Sequence, residues 1–244
     1  MQAKCKLNLW TIFLLLWSIQ LVTAQIADTG DYLQDIKIEL KKQWPSNKRI
    51  HIVFHGHSVP SGYFKTPKVK LLAAYPQLVY REIAHHYPYA VINVITTAIG
   101  GENSLGGMER FEKEVLNHRP DVLFIDYGLN DRGIGIEASE KAWRNMIEKS
   151  LSLGIKIILL TPTPDWSESI LSPQALLAEY SEMIRKLATE YKIGLVDSYA
   201  LFKEKVQQGN DLKDYMSQAN HLNEKGHVPV SYTHLRAHET GAYL

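Results

Sequence analysis

Five short apolar runs lie between positions 49 and 196, and a stretch with the period of an amphipathic helix separates most of them. That alternation constrains the fold more than any single motif. The runs are 49–55 (RIHIVFH), 90–96 (AVINVIT), 122–127 (VLFIDY), 156–161 (KIILLT) and 193–196 (IGLV). Most are continuously apolar rather than alternating, the pattern of strands buried on both faces of a parallel sheet. Helical spacing is read over 70–86, 108–117, 137–153 and 173–191, with a further helix starting near Tyr199. Strands joined through helices run parallel with right-handed crossovers, and the helices cover both faces. The expectation is an α/β fold, a three-layer α/β/α sandwich around a five-stranded parallel sheet. Ahead of it, Leu33, Ile36, Ile38 and Leu40 predict a short amphipathic helix within 31–44, ended by Pro45-Ser46-Asn47. Residues 25–48 are therefore a helical lead-in and 49–228 one domain.

The 244 residues, 45% hydrophobic, can fill one sizeable core. Lys and Arg number 27 against 26 Asp and Glu, a formal net charge of +1. With the signs interspersed along the chain, nothing electrostatic drives it towards nucleic acid. The single cysteine, Cys5, precludes an intramolecular disulfide and a Cys-rich zinc module.

Both ends are read as lying outside the fold. Lys4 and Lys6 precede an apolar run over 9–22, and Val22-Thr23-Ala24 suits a cut before Gln25. Residues 1–24 are thus expected to be a signal peptide, with an uncleaved anchor as the alternative. The run is short for a membrane span, so no stable membrane insertion is expected after cleavage and the mature chain is expected to be secreted or periplasmic. Cys5 lies before the apolar run, badly placed for lipid attachment at a processed N-terminus. At the other end, VSYTHLRAHET over 230–240 back-translates into a sequencing adapter read in frame. Residues 229–244 are accordingly expected to be foreign to the fold, the natural gene being cut off near Val228. A last helix is then expected to be missing and His221 to be poorly held.

In open α/β sheets ligands sit in the crevice beyond the carboxyl ends of the strands. Gly56-His57-Ser58 follows the first strand and could present the Ser58 hydroxyl there, or Ser58 could cap a helix. Gly100-Gly101 follows the second and lets backbone N–H groups approach a ligand. Gly128-Leu129-Asn130-Asp131 follows the third, where a carboxamide could donate to an oxyanion or simply make a turn. His221 comes near the end, with a proton affinity suited to general-base work. His55 and His57 share one strand face at i, i+2 and offer a weaker metal-site reading without further ligands.

These four blocks, in this order and each beside a strand end, resemble the SGNH or GDSL family of serine hydrolases. The third block matches the family's G-x-N-D, and His221 with Gly226-His227 resembles its last block. The resemblance implies the flavodoxin-like SGNH-hydrolase fold and no cofactor or metal. It makes Ser58 the nucleophile and His221 the base. The Ser58 and Gly101 amides, with Gly100 possible in the doublet, and the Asn130 side chain become the oxyanion donors.

Two positions depart from the family's pattern. His57 stands where G-D-S has an acid, and Gln218 stands where the last block, D-x-x-H, has one. Without that carboxylate, either a dyad operates with His221 oriented by a backbone carbonyl, or Asp214 folds back to assist. The implied activity is hydrolysis of a small-molecule or carbohydrate ester, an O-acetyl group being preferred because no long apolar lid segment is visible. Tyr63, Phe64, Tyr127 and Trp166 are expected at the rim, where sugar rings could stack. The other readings are a lysophospholipase or thioesterase of the same family, and a glycan-binding module without catalysis.

Overall fold

A computed structural model of the protein describes residues 26–27 and 31–236, of which 232–236 by their backbone alone. The expected signal peptide and the last eight residues of the chain lie outside the described residues. Five strands form one parallel sheet: β1 (Arg49–Gly56), β2 (Val91–Thr96), β3 (Val122–Asp126), β4 (Lys156–Leu160) and β5 (Gly194–Val196). Their spatial order is β2-β1-β3-β4-β5, every pair parallel. The expected α/β sheet is present. Alternate residues of β1 and β3 enter opposite layers, with Ile52, Phe54, Val122 and Phe124 in one core and Val53, Leu123 and Ile125 in the other.

The helices are α1 (Gln34–Leu40), α2 (Tyr75–His86), α3 (Ser104–Glu114), α4 (Ile136–Ser152), α5 (Leu176–Tyr191), α6 (Ser198–Gln207) and α7 (Glu224–Arg236). Helices α1, α2, α6 and α7 supply Ile36, Tyr75, Phe202 and Val230 to the first core. Helices α3, α4 and α5 supply Phe111, Trp143 and Ile184 to the second.

Several boundaries differ from those read in the sequence, each for a local reason. The helix expected from 70 starts at Tyr75, because Pro76 sits in its first turn and residues 71–73 form a separate 3-10 turn. Helix α3 begins at Ser104, earlier than its expected start at 108. Asn103 caps it by accepting from Gly106 N at 3.3 Å, and Gly107 is glycine because a Cβ there would stand 2.4 Å from the Tyr127 hydroxyl. Strand β2 is not buried on both faces but forms the sheet edge, leaving Val91 46% exposed. A two-stranded antiparallel hairpin, β6 (Met216–Gln218) and β7 (His221–Leu222), was not anticipated.

Helix α7 continues past Val228, where the domain was expected to end, and its Val230 is fully buried. Asn223 starts it by accepting from Gly226 N at 3.0 Å. Pro229 removes one donor, whose i−4 acceptor would be the carbonyl of Lys225 in the first turn. Helix α7 packs on α2 and begins three residues after His221. Val230→Ala should lower unfolding stability by about 2 kcal/mol, two buried methyl groups plus an incompletely collapsed space. Urea denaturation tests this, and an unchanged midpoint would mean that α7 ends functionally before Val230.

Candidate active site

The strand order reverses its direction of growth at β1, with β2 on one side and β3 on the other. Loops leaving β1 and β3 therefore diverge and open a crevice there. Ser58 follows β1 at its mouth. Gly56 is glycine because a Cβ would come 2.4 Å from the carbonyl oxygen of Asp126 on β3. The tight approach is held by His57 N–H donating to that same oxygen at 3.2 Å.

The structure brings Ser58 and His221 together. His221 Nε2 lies 2.9 Å from Ser58 Oγ, and both residues are buried. His221 Nδ1 lies 2.7 Å from the carbonyl oxygen of Phe64. A carbonyl only accepts, so Nδ1 carries the proton and Nε2 is bare towards the serine. Burial holds the imidazole below its usual pKa, the Phe64 carbonyl opposes this, and His57 adds to the depression. The ring is therefore neutral and ready to accept a proton at neutral pH.

The Gln218 amide makes no hydrogen bond to the His221 ring. Its Oε1 accepts from Thr66 N at 2.9 Å and its Nε2 donates to Asn220 Oδ1 at 3.2 Å. The amide thereby secures the 62–70 loop, whose Phe64 carbonyl orients the histidine. Asp214 faces Lys225 at 3.7 Å, and its backbone carbonyl accepts from Asn223. Of the two arrangements left open by the sequence, the structure has the backbone carbonyl beside His221.

Gly101 has φ +81°, a left-handed conformation that glycine adopts without strain. Asn130 donates through Nδ2 to Glu102 O at 2.9 Å, which ties the loop after β3 to the loop after β2 beside Gly101. Asp131, next along, is fully buried and accepts from Ser104 N at 2.7 Å, Ser139 Oγ at 2.5 Å and Trp143 Nε1 at 2.8 Å. Its carboxylate locks two helices, α3 and α4, behind Asn130. Sequence reading treated it as part of a turn; the only signal was its place in the third block.

His57 and Asp126 form a second buried pair that sequence reasoning missed. His57 Nδ1 accepts from Val59 N at 3.2 Å and lies 3.4 Å from Ser58 Oγ. Its Nε2 stands 3.2 Å from Asp126 Oδ1, and Tyr75 donates its hydroxyl to Asp126 Oδ2 at 3.0 Å. His55 is engaged elsewhere, with Nδ1 2.9 Å from Thr97 Oγ1 and Nε2 3.1 Å from Gly107 O. The two histidines thus belong to separate networks, and no group of three or more metal-ligating side chains occurs among the described residues.

Of the four expected rim aromatics, Tyr127 is fully buried and Phe64 is 4% exposed. Tyr127 donates to Glu102 Oε2 at 2.7 Å and belongs to the packing beneath the crevice. Tyr63 stays near the opening, its ring 6.1 Å from that of His221, and Trp166 is 39% exposed with its backbone N–H donating to the carbonyl of Ala219.

A model of the GDSL-like lipase/acylhydrolase family matches residues 54–228. The chain belongs to this family. Over 81 residues it is 35% identical to the uncharacterized lipoprotein YqeF of Bacillus subtilis (strain 168), covering 30% of this chain and 33% of that protein. Among solved structures, a two-domain esterase (CEX) active on acetylated mannans superposes with TM-score 0.68 at 18% identity, covering 88% of this chain and 55% of that one. The acetylxylan esterase Axe2 of Geobacillus stearothermophilus superposes with TM-score 0.68 at 21% identity, covering 77% and 93%. The chain therefore spans about a third of the lipoprotein and about half of the two-domain esterase. At these identities the structural likeness concerns the fold.

Two buried imidazoles link the site's packing to pH. Burial, with Arg110 adding to it, pushes His55 down to about 3; burial, with His221 adding to it, does the same to His227. Both lie below the unfolded value near 6.5. Their stabilisation is complete above that value and is lost as pH falls towards 3, at about 1.4 kcal/mol per pH unit for each group. The urea midpoint should fall between about pH 6.5 and 5, and less so in His227→Gln. A flat midpoint across that window would show that the unfolded chain gains no protons there relative to the folded one.

Proposed function

We propose that this protein is an exported serine esterase that removes short acyl groups, O-acetyl groups above all, from carbohydrate. The observation that carries the reading is the 2.9 Å contact between Ser58 Oγ and a neutral, carbonyl-oriented His221. Ser58 Oγ attacks the ester carbonyl carbon while its proton passes to His221 Nε2. The oxyanion is received by the Ser58 and Gly101 amides and the Asn130 carboxamide, among which Gly100 can substitute for Gly101. Collapse breaks the carbon–oxygen bond and returns the proton to the departing alcohol. Water, deprotonated by the same Nε2, then attacks the acyl-enzyme and releases the acid and free Ser58.

The substrate class draws on Tyr63 and Trp166 at the opening, which offer ring faces to a sugar, and on relatives in structure whose names record acetylated mannan and acetylxylan. Export draws on the apolar N-terminal segment. Among the described residues, no helix is long and apolar enough to cross a membrane.

Fluorophosphonate labelling of the folded chain, read by peptide mass spectrometry, should give one adduct, on Ser58. No adduct, with glycan binding retained, would replace the esterase by a binding module. Asn130→Ala should lower kcat on p-nitrophenyl acetate by about 10²–10³ with the fold intact, and a near-wild-type rate would remove Asn130 from the site. Gln218→Ala should lower kcat about five- to tenfold, the worth of one hydrogen bond, by loosening the loop that presents Phe64 O. An unchanged rate would show that His221 keeps its orientation without Gln218.

A further inference from the structure

Ser58 sits between two imidazoles. His221 Nε2 lies 2.9 Å from its Oγ, and His57 Nδ1 lies 3.4 Å from the same atom. The proton on the second ring is placed by its neighbours. Val59 N–H donates to His57 Nδ1 at 3.2 Å, so that nitrogen is bare. The ring then carries its proton on Nε2, which stands 3.2 Å from Asp126 Oδ1. The two atoms are not aligned as a hydrogen bond, yet both are buried and neither has any other partner among the described residues. A buried donor and a buried acceptor left apart would each bear the full loss of hydration, so each compensates the other. Tyr75 donates to Asp126 Oδ2 at 3.0 Å, and burial together with the Asp126 charge keeps that phenol protonated by raising its pKa.

The His57 ring thereby orders the turn that carries Ser58. Between positions 57 and 63 the amides of His57, Val59, Ser61, Gly62 and Tyr63 are all bonded inside the protein, and Pro60 has none to offer. The Ser58 amide alone has no partner among the described residues, as an oxyanion donor requires. With the His57 lone pair engaged by Val59, the Ser58 hydroxyl is left to donate to His221, which is also the nearer acceptor. A proton on His57 Nδ1 would release Val59 and put a cation beside His221, whose proton affinity His57 already lowers.

We propose that His57 is a positioning residue for Ser58, held in its Nε2–H form by Asp126, so that a carboxylate at the end of β3 serves the serine rather than the base. The inference rests on the esterase reading above, in which Ser58 attacks, and adds two residues to it. Asp126 selects the tautomer, the tautomer holds the Val59 amide, and the turn so fixed sets Ser58 Oγ and N–H within the narrow tolerance that attack demands. The two rings flanking Ser58 therefore carry opposite tautomers, with the proton at Nδ1 in His221 and at Nε2 in His57.

Long-range ¹H–¹⁵N correlation spectra of the full chain with labelled histidine, recorded at neutral pH, read both tautomers directly, the peaks being assigned by their loss in His57→Asn and His221→Asn. His57 protonated at Nδ1, or at both nitrogens, overturns the proposal whatever the enzyme's rate. Kinetics on p-nitrophenyl acetate separate positioning from packing. His57→Ala should lower kcat about a hundredfold with KM nearly unchanged, the scale of a misplaced reacting group. His57→Asn should recover about tenfold of that loss, because an Asn side-chain oxygen accepts from the amide two residues on. Asp126→Asn can present either an acceptor or a donor to Nε2, so it should give a mixture of His57 tautomers and lower kcat about tenfold. Equal losses in His57→Ala and His57→Asn, an unchanged kcat in Asp126→Asn, or a loss carried by KM overturns the proposal. If Asp126→Asn does not fold, the wild-type spectra and the two His57 variants still decide. A wild type that does not turn over p-nitrophenyl acetate overturns the esterase reading instead, and the tautomers are read independently of it.

Discussion

The contact between His221 Nδ1 and the Phe64 carbonyl governs the chemistry open to this crevice. A histidine can act as a base towards Ser58 only if Nε2 is bare, and that requires the proton to be kept on Nδ1. Within the family pattern a carboxylate three residues earlier does this. Here a neutral backbone oxygen does it, at 2.7 Å. The two solutions fix the same tautomer but differ in charge. A carboxylate also stabilises the imidazolium that forms on proton transfer, whereas a carbonyl supplies only a dipole. That difference, together with burial, is why the ring's proton affinity stays low.

Placing the acceptor on a loop transfers the problem of precision from one side chain to a backbone segment. The 62–70 loop is held by its internal bonds, by Gln218 on Thr66 and by an isolated bridge between Tyr63 and Val69. Gln218 suits this task better than the acid it replaces. An amide oxygen accepts from Thr66 N–H while its NH₂ donates to Asn220, whereas an ionised carboxylate has no proton to give. The substitution at 218 and the carbonyl at Phe64 are therefore two parts of one arrangement. Behind Ser58, the buried His57 and Asp126 pair stands at the other departure from the family pattern.

The sheet was legible in the sequence because its signal is local and repeated. Short apolar runs separated by helical periods admit few other folds, and the residues just past the strands stand out by position. What escaped notice depends on contacts remote in the chain. Helix α3 starts four residues before its expected first residue, 108, and within that added turn Gly107 is required by the Tyr127 ring, twenty residues on. Tyr127 and Phe64 looked like rim aromatics because they follow strands or turns, but burial depends on what packs above them. Asp126 reads as the polar end of a strand and Tyr75 as part of a helix start; only the fold brings them together at 3.0 Å. No spacing rule reveals that Phe64 O meets His221, since the two lie 157 positions apart.

Helix α7 shows the same limitation from the energetic side. The adapter-like back-translation of residues 230–240 gives a reason to leave 229–244 out, and on that basis His221 is expected to be loosely held. Its anchorage comes instead from both sides of the hairpin. Ser217 Oγ donates to the carbonyls of His221 and Leu222. Asn223 caps α7 immediately afterwards, and Gly226 lies so close to Tyr215 that a Cβ would stand 2.2 Å from its carbonyl oxygen. Helix α7 then buries His227 against Phe64 and Tyr75, with ring centroids 5.1 Å and 6.2 Å away. The side chain of Phe64 is thus fixed by the helix that follows His221, while its carbonyl fixes His221 itself. His221 and the carbonyl that orients it are held by the same piece of core.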